Sequence, residues 1–190
     1  VGPEDIAITG NTFRAVAGLR GTVFDGWNWE TAGLYSRSSA RDTSANAGRE
    51  SLFAQALMRT DATAYNPFGY TFKVVNGAVV PDKPYTNPAA ALSPWVQQWR
   101  HDGSTTLLSG DFRASGPLLK LWGNQISLAV GGEGRREEYT DTRPPYAGVN
   151  PPGSGLDVDD NDFLVASPKP DSAGQRTVYS LYSELVIPLV

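Results

Sequence analysis

The stretch GQRTVYSLYSELVIPLV, Gly174 to Val190, decides how the rest of the chain is read. From Thr177 on, every second side chain is apolar or small: Thr177, Tyr179, Leu181, Ser183, Leu185, Ile187 and Leu189. Arg176, Ser180, Tyr182 and Glu184 fall on the opposite side. A period of two is the signature of an extended strand, because successive side chains point to opposite faces. One face is apolar over its length and the other is wet. The apolar face must meet either a protein core or lipid.

The same alternation recurs upstream. In TFRAVAGLRGTVF, Phe13, Ala15, Ala17, Leu19 and Val23 share a face opposite Arg14, Gly18, Arg20 and Thr22, with Val16 as the exception. Asp25-Gly26 then reads as a tight hairpin turn. WNWETAGLYSRSS continues as a second strand, with Trp27, Trp29, Thr31 and Tyr35 against Asn28, Glu30 and Ser36. Strands resume with STTLLSGDFRASG and PLLKLWGNQISLAVGGEGRREEYTD, where a turn is expected near Gly116 or at Gly123-Asn124. Ile126, Leu128 and Val130 alternate there with Gln125, Ser127 and Ala129.

Two irregular stretches interrupt the pattern, residues 38–104 and 140–174. Within the first, Glu50 to Arg59 has good helix formers, with Leu52, Phe53, Ala56 and Leu57 at helical spacing. FKVVNGAVV predicts a hairpin turning at Asn76-Gly77. A connection this long is expected to be functional or folded in its own right. The outcome is about five long strands joined alternately by short turns and long loops. That is how an outer-membrane barrel is strung, with short turns inside and long loops outside.

Composition narrows the function classes. The 190 residues carry 40% hydrophobic and 19% charged side chains, the latter below the roughly 25% usual for soluble domains. With 20 Gly and 14 Pro, turns and loops are favoured over helices. A net charge of −4 gives no reason to expect a nucleic-acid partner. The chain has no cysteine, so disulfides, thiolate nucleophiles and Cys-based zinc sites are excluded. No apolar run approaches the roughly 18 residues of a membrane-spanning helix, which says nothing against a β-barrel. No signal peptide is recognisable at the start. The single histidine, His101, sits in WRHDGS, read as a loop entering a strand. There is no phosphate-binding Gly-rich loop and no helix-borne His pair, so the chain is not expected to be an enzyme.

Three features favour lipid over a second sheet: the length of the strands, the Arg, Glu, Gln and Ser on their polar faces, and aromatics near strand ends. Trp29, Trp122, Tyr139 and Tyr179 are the candidates for interfacial girdles. The competing reading is a secreted, soluble β-sandwich module that binds glycans through exposed aromatics.

Several motifs add a resemblance. AYNPFG, Ala64 to Gly69, resembles a loop motif of TonB-dependent outer-membrane receptors. GEGRREEY, Gly132 to Tyr139, is similar to the strand of that family with an alternating Gly-x-Glu-x-Arg signal. GQRTVYSLYSELVIPLV resembles the strand that follows it, with Arg176, Val178, Tyr182, Glu184 and Pro188 in place, and WNWETAGLYS resembles a further barrel strand. Together they cover most of the chain, in the order of the middle of the barrel. The resemblance implies an all-β antiparallel transmembrane barrel section. Residues 1–190 would form part of the barrel, with 38–104 and 140–174 as extracellular loops, the first holding a short helix. It implies a Gram-negative outer-membrane location and uptake of a ferric siderophore, cobalamin or oligosaccharide. The implied partners are membrane lipid, the rest of the barrel with its plug domain, and a TonB-type energy-coupling protein acting through that plug. The family's barrel has about 22 strands, and neither plug nor TonB box is recognisable, so the chain is expected to be part of a larger receptor.

Candidate sites follow. Tyr65, Asn66, Phe68 and Tyr70 form one aromatic-polar cluster in the first loop, and Trp95 and Trp99 another. Aromatic faces stack on sugars or siderophore rings and amides fix orientation, so these are ligand-binding candidates. The plainer alternative is that they fold the loop on itself, since Asn-Pro-Phe-Gly is also good turn chemistry. Glu133, Arg135, Glu137, Arg176, Tyr182 and Glu184 are expected to face the lumen, as a charged ladder across strands. Arg136 and Glu138, on the other face, should lie near or beyond the membrane interface. Asp157, Asp159 and Asn161 have the 1-3-5 spacing of a calcium loop, but Asp162 stands where Gly belongs and Pro168 where Glu belongs. No cofactor is expected. An irregular calcium site stays open against a solvated acidic loop.

Overall fold

The computed structural model describes residues 2–24, 26–164 and 166–188. Strands take up 63% of it and helix 7%, so the chain is all-β. In chain order come β1 (Asp5–Val23), β2 (Trp27–Gly48), α1 (Glu50–Met58), β3 (Tyr70–Val75), β4 (Ala78–Pro84), α2 (Ala89–Leu92), β5 (Val96–Leu121), β6 (Asn124–Thr142) and β7 (Ser172–Val186). Five of these form one antiparallel sheet in the order β1-β2-β5-β6-β7, and β3-β4 pair as a separate hairpin. Neighbours in the sheet are therefore successive long strands of the chain, an up-and-down meander.

The strands run further than their apolar alternation indicates. β2 reaches Gly48 and β5 begins at Val96, so both take residues from the irregular stretch 38–104. β6 and β7 likewise claim residues from 140–174. His101 lies inside β5, not in a loop. The Asn76-Gly77 hairpin is as expected, with φ of 50° and 80° at the two turn positions. The β5–β6 turn is one residue earlier than Gly123-Asn124: Trp122 and Gly123 are its left-handed pair, φ 48° and 83°. Gly116 is no turn. It sits within β5, and Trp27 lies over the space its missing side chain leaves. The expected turn at Asp25-Gly26, the apolar Leu189 and the chain end at Val190 fall wholly or partly outside the described residues. Phe24 and Gly26, which flank Asp25, both have positive φ.

The chain divides into two compact units. The first comprises Val1–Thr9, Arg41–His101 and Thr142–Asp171, and contains both long connections. Its core has two centres. Ala47, Ala147 and Phe163 are buried, with Trp99, Tyr146 and Ala166 packed against them. Phe53, Tyr65 and Trp95 pack edge to face at 4.8–5.4 Å between ring centres, beside the buried Ala56 and Ala91. Such offset aromatic contacts suit the ring quadrupoles.

α1 starts without a cap from its own chain neighbour, since Arg49 makes no side-chain cap bond. Asp162 supplies the acceptors instead. Its carbonyl accepts from Glu50 N and its Oδ1 from Ser51 N, both at 2.8 Å. The helix is thus tied to the second long connection at the end where its unpaired N–H groups and positive dipole end favour a carboxylate.

The second unit comprises Gly10–Ala40, Asp102–Asp141 and Ser172–Val190 and holds both short turns of the five-stranded sheet. Among its described residues, Ile126 is the one buried hydrophobic side chain. The sheet of this unit therefore has almost no core of its own. Its β6–β7 register sets Leu128 opposite Leu185, Gly131 opposite Tyr182 and Glu137 opposite Arg176.

Candidate functional site

In the second unit the two sheet faces differ as the alternation predicts. On one, Phe112, Val130 and Leu181 line a shallow depression with Thr31 and Tyr179. Phe13 meets Tyr35 ring to ring at 6.2 Å. Leu181 is 91% exposed, Tyr179 81% and Leu19 69%. No large side chain covers this face among the described residues. Tyr179 lies at the middle of β7, not near its end as a girdle residue would. Trp122 is at the β5–β6 turn and Tyr139 near the far end of β6.

The other face is polar and cross-linked. Arg113 donates to Glu30 at 2.6 Å and Thr22 to Asn28 at 3.3 Å. Arg20, Ser115 and Tyr182 join them around an open cleft of about 540 Å3. Register puts Glu133, Arg135 and Glu137 of β6 on one face with Arg176, Tyr182 and Glu184 of β7. Arg135 lies 3.3 Å from Glu137 and 3.9 Å from Glu133, and Arg176 pairs with Glu137. The six expected lumen residues thus share a face, and four of them form a charge ladder. Tyr182 lies over Gly131, where any side chain would collide with its ring. Arg136, on the apolar side, bonds Glu138 at 2.7 Å and Gln175 at 2.6 Å, so these three polar groups satisfy each other.

The first-loop candidates separate. Trp95 is only 5% exposed, and its Nε1 donates to Ala91 O. Tyr65 is half-buried against it. Both hold the loop together, and the buried Trp95 presents no free ring to a ligand. Asn66 folds its own turn: Oδ1 accepts from Phe68 N, Nδ2 donates to Tyr70 O, and its backbone bonds the Asn87 side chain twice. Phe68 and Tyr70 remain exposed, Phe68 edge-on to Phe72 at 5.4 Å. Trp99 donates through Nε1 to Ala147 O at 3.2 Å and packs on the Ala47–Phe163 core.

The acidic loop is organised around Asp162, which the calcium pattern treats as a misfit. Asp162 forms an ion pair with Arg49 at 2.6 Å and accepts from Ser51 Oγ at 2.6 Å. Arg49 also lies over the Tyr146 ring at 3.8 Å, a cation–π contact. Asn161 is buried, accepting from Phe163 N and donating to Ala166 O. Asp157 Oδ1 accepts from Asp159 N. Among the described residues no group of three or more His, Cys, Asp or Glu side chains converges as a metal site.

The Arg49–Asp162–Tyr146 linkage has no local signal. Its partners lie far apart in sequence, and ordinary residues carry it. Comparisons of the chain with family models, with curated proteins and with solved structures give no match.

Proposed function

We propose that the chain is a section of a TonB-dependent outer-membrane receptor barrel, taking up a ferric siderophore, cobalamin or oligosaccharide with energy delivered through a TonB-type partner. The observation that carries this reading is the uncovered apolar face of the five-stranded sheet. Leu181 and Leu19 project from a sheet with almost no core, and in water so much contiguous apolar surface is unfavourable. Lipid removes that cost. The opposite face, with its Arg–Glu ladder, suits a wet lumen.

Connection lengths support the same reading. The β1–β2 and β5–β6 turns are tight, while the β2–β5 and β6–β7 connections are long and folded. β1 and β7 are the outer strands of the sheet. Unpaired strand edges are costly in hydrocarbon, so in the receptor further strands of the barrel pair with both. The barrel performs no covalent chemistry and needs no cofactor. Its outer connections capture ligand, the polar face accommodates it, and the plug releases it.

The soluble glycan-binding sandwich lacks support at its defining point, because the only other sheet among the described residues is the two-stranded β3–β4 hairpin. The test is fractionation of the source cells followed by the intact mass of the denatured protein. The receptor reading expects an outer-membrane protein that needs detergent, with a mass several times the 20.4 kDa of this chain. A 20.4 kDa protein that stays in buffer without detergent would overturn it.

A further inference from the structure

We propose that a cleft in the first unit, between Asp42, Glu4, Trp99, Arg143 and Lys169, binds a single sugar ring or a disaccharide. The cleft measures about 320 Å3, at the small end of the roughly 300–1,000 Å3 range of ligand pockets. That is too small for cobalamin or a ferric siderophore to enter whole.

The cleft is built, not incidental. Ser44 is 4% exposed and donates to the Glu4 carboxylate, fixing one wall. Arg143 N donates to Asp171 Oδ1, and Lys169 N to Gly148 O. Gly148 lets these two segments close up: a Cβ there would lie 2.6 Å from Lys169 O and 3.1 Å from the Arg143 side chain. Trp99 is anchored by its indole N–H and supplies an aromatic wall.

One hydrogen-bond acceptor at this cleft is left unmet by the protein itself. Asp42 Oδ1 is buried and accepts no hydrogen bond. A buried carboxylate oxygen without a donor is costly, so a ligand that donates there gains what the protein leaves unmet. The mixture of charges selects the ligand class. A cation meets Arg143 and Lys169, and an anion meets Glu4 and Asp42. A neutral polyol suits both sets, because each hydroxyl donates to carboxylate and accepts from ammonium or guanidinium. The apolar face of a pyranose suits an aromatic wall. The inference rests on the uptake reading for its purpose, while the binding itself does not depend on it.

The experiment is calorimetric titration of the detergent-solubilised full chain with glucose, galactose, mannose, N-acetylglucosamine and maltose. At least one is expected to bind, with Asp42→Asn weakening it about ten- to a hundredfold. Lys120→Gln, exposed near the end of β5 in the other unit, should leave it unchanged. Should Asp42→Asn fail to fold, Ser167→Trp at the exposed rim is expected to block the same binding. No binding by any of the five sugars overturns the proposal, as does binding that neither Asp42→Asn nor Ser167→Trp alters. Sugar binding by a protein found only in the soluble fraction would keep this inference and sink the outer-membrane reading. An outer-membrane protein that binds none of them would do the reverse.

Discussion

Asp162 shows how one side chain organises a long connection. It caps α1, pairs with Arg49 and accepts a hydrogen bond from the Ser51 hydroxyl, with its side chain 4% exposed. Removing one partner of a buried pair leaves the other charge uncompensated, at a cost of about 3–5 kcal/mol. Asp162→Ala is therefore expected to unfold the first unit at markedly lower denaturant, with loss of hydrogen-exchange protection over α1. Unchanged protection there would show that the helix is held otherwise. Asp61 is a smaller case, outside the sheet. The Thr63 hydroxyl and backbone N–H hold its carboxyl below the usual value, opposed by desolvation and helped least by the charge of Arg59. Because the folded value is the lower one, the stabilisation is complete above the unfolded carboxylate value and disappears as pH falls through the folded one. The Thr63 amide resonance should titrate below the normal Asp range. A midpoint at or above that range would contradict the assignment.

At the scale of elements, alternation made β6 and β7 legible, since every second residue commits to a face. Asn76-Gly77 was legible because both turn positions need positive φ and both residues tolerate it. Trp122 was not, because nothing marks a tryptophan for a left-handed turn. The second half of β2, SARDTSANAG, carries little apolar alternation and reads as loop. It is extended because β1 and the residues just before it run alongside: Thr43 Oγ1 donates to Ala7 O of β1 and Asn46 Nδ2 to Pro3 O ahead of it. The Arg49–Asp162 pair joins residues 113 positions apart, and such pairing has no local trace. Trp95 and Tyr65 looked like ligand contacts because aromatics in a polar loop resemble a binding surface. Their packing follows from Phe53, Ala56 and Ala91, which only the fold brings beside them. The Leu128–Leu185 pair carries the next prediction. An arginine on the lipid-facing side of a strand costs up to about 2–4 kcal/mol at the midplane and less towards the interfaces. Leu185→Arg should lower the yield of refolding into phospholipid vesicles, whereas Glu184→Gln, one residue away on the opposite face, should leave it near the parent level. Equal yields for the two would remove the distinction between the faces.

For the whole molecule, the central claim is that one face of the long sheet meets hydrocarbon and the other meets water. The sequence alone carries the alternation, the turns and the loop lengths, but not what lies against the apolar face, because lipid and a second sheet select the same residue types. The chain has no native cysteine, so single cysteines report position without background. The decisive measurement is the accessibility of spin labels at Leu181→Cys and Ser180→Cys, with the protein in its native outer membrane. The label at 181 is expected to be reached by oxygen but not by a water-soluble nickel chelate, and the label at 180 to show the opposite preference. A label at 181 that the chelate reaches as readily as the one at 180 would contradict the claim.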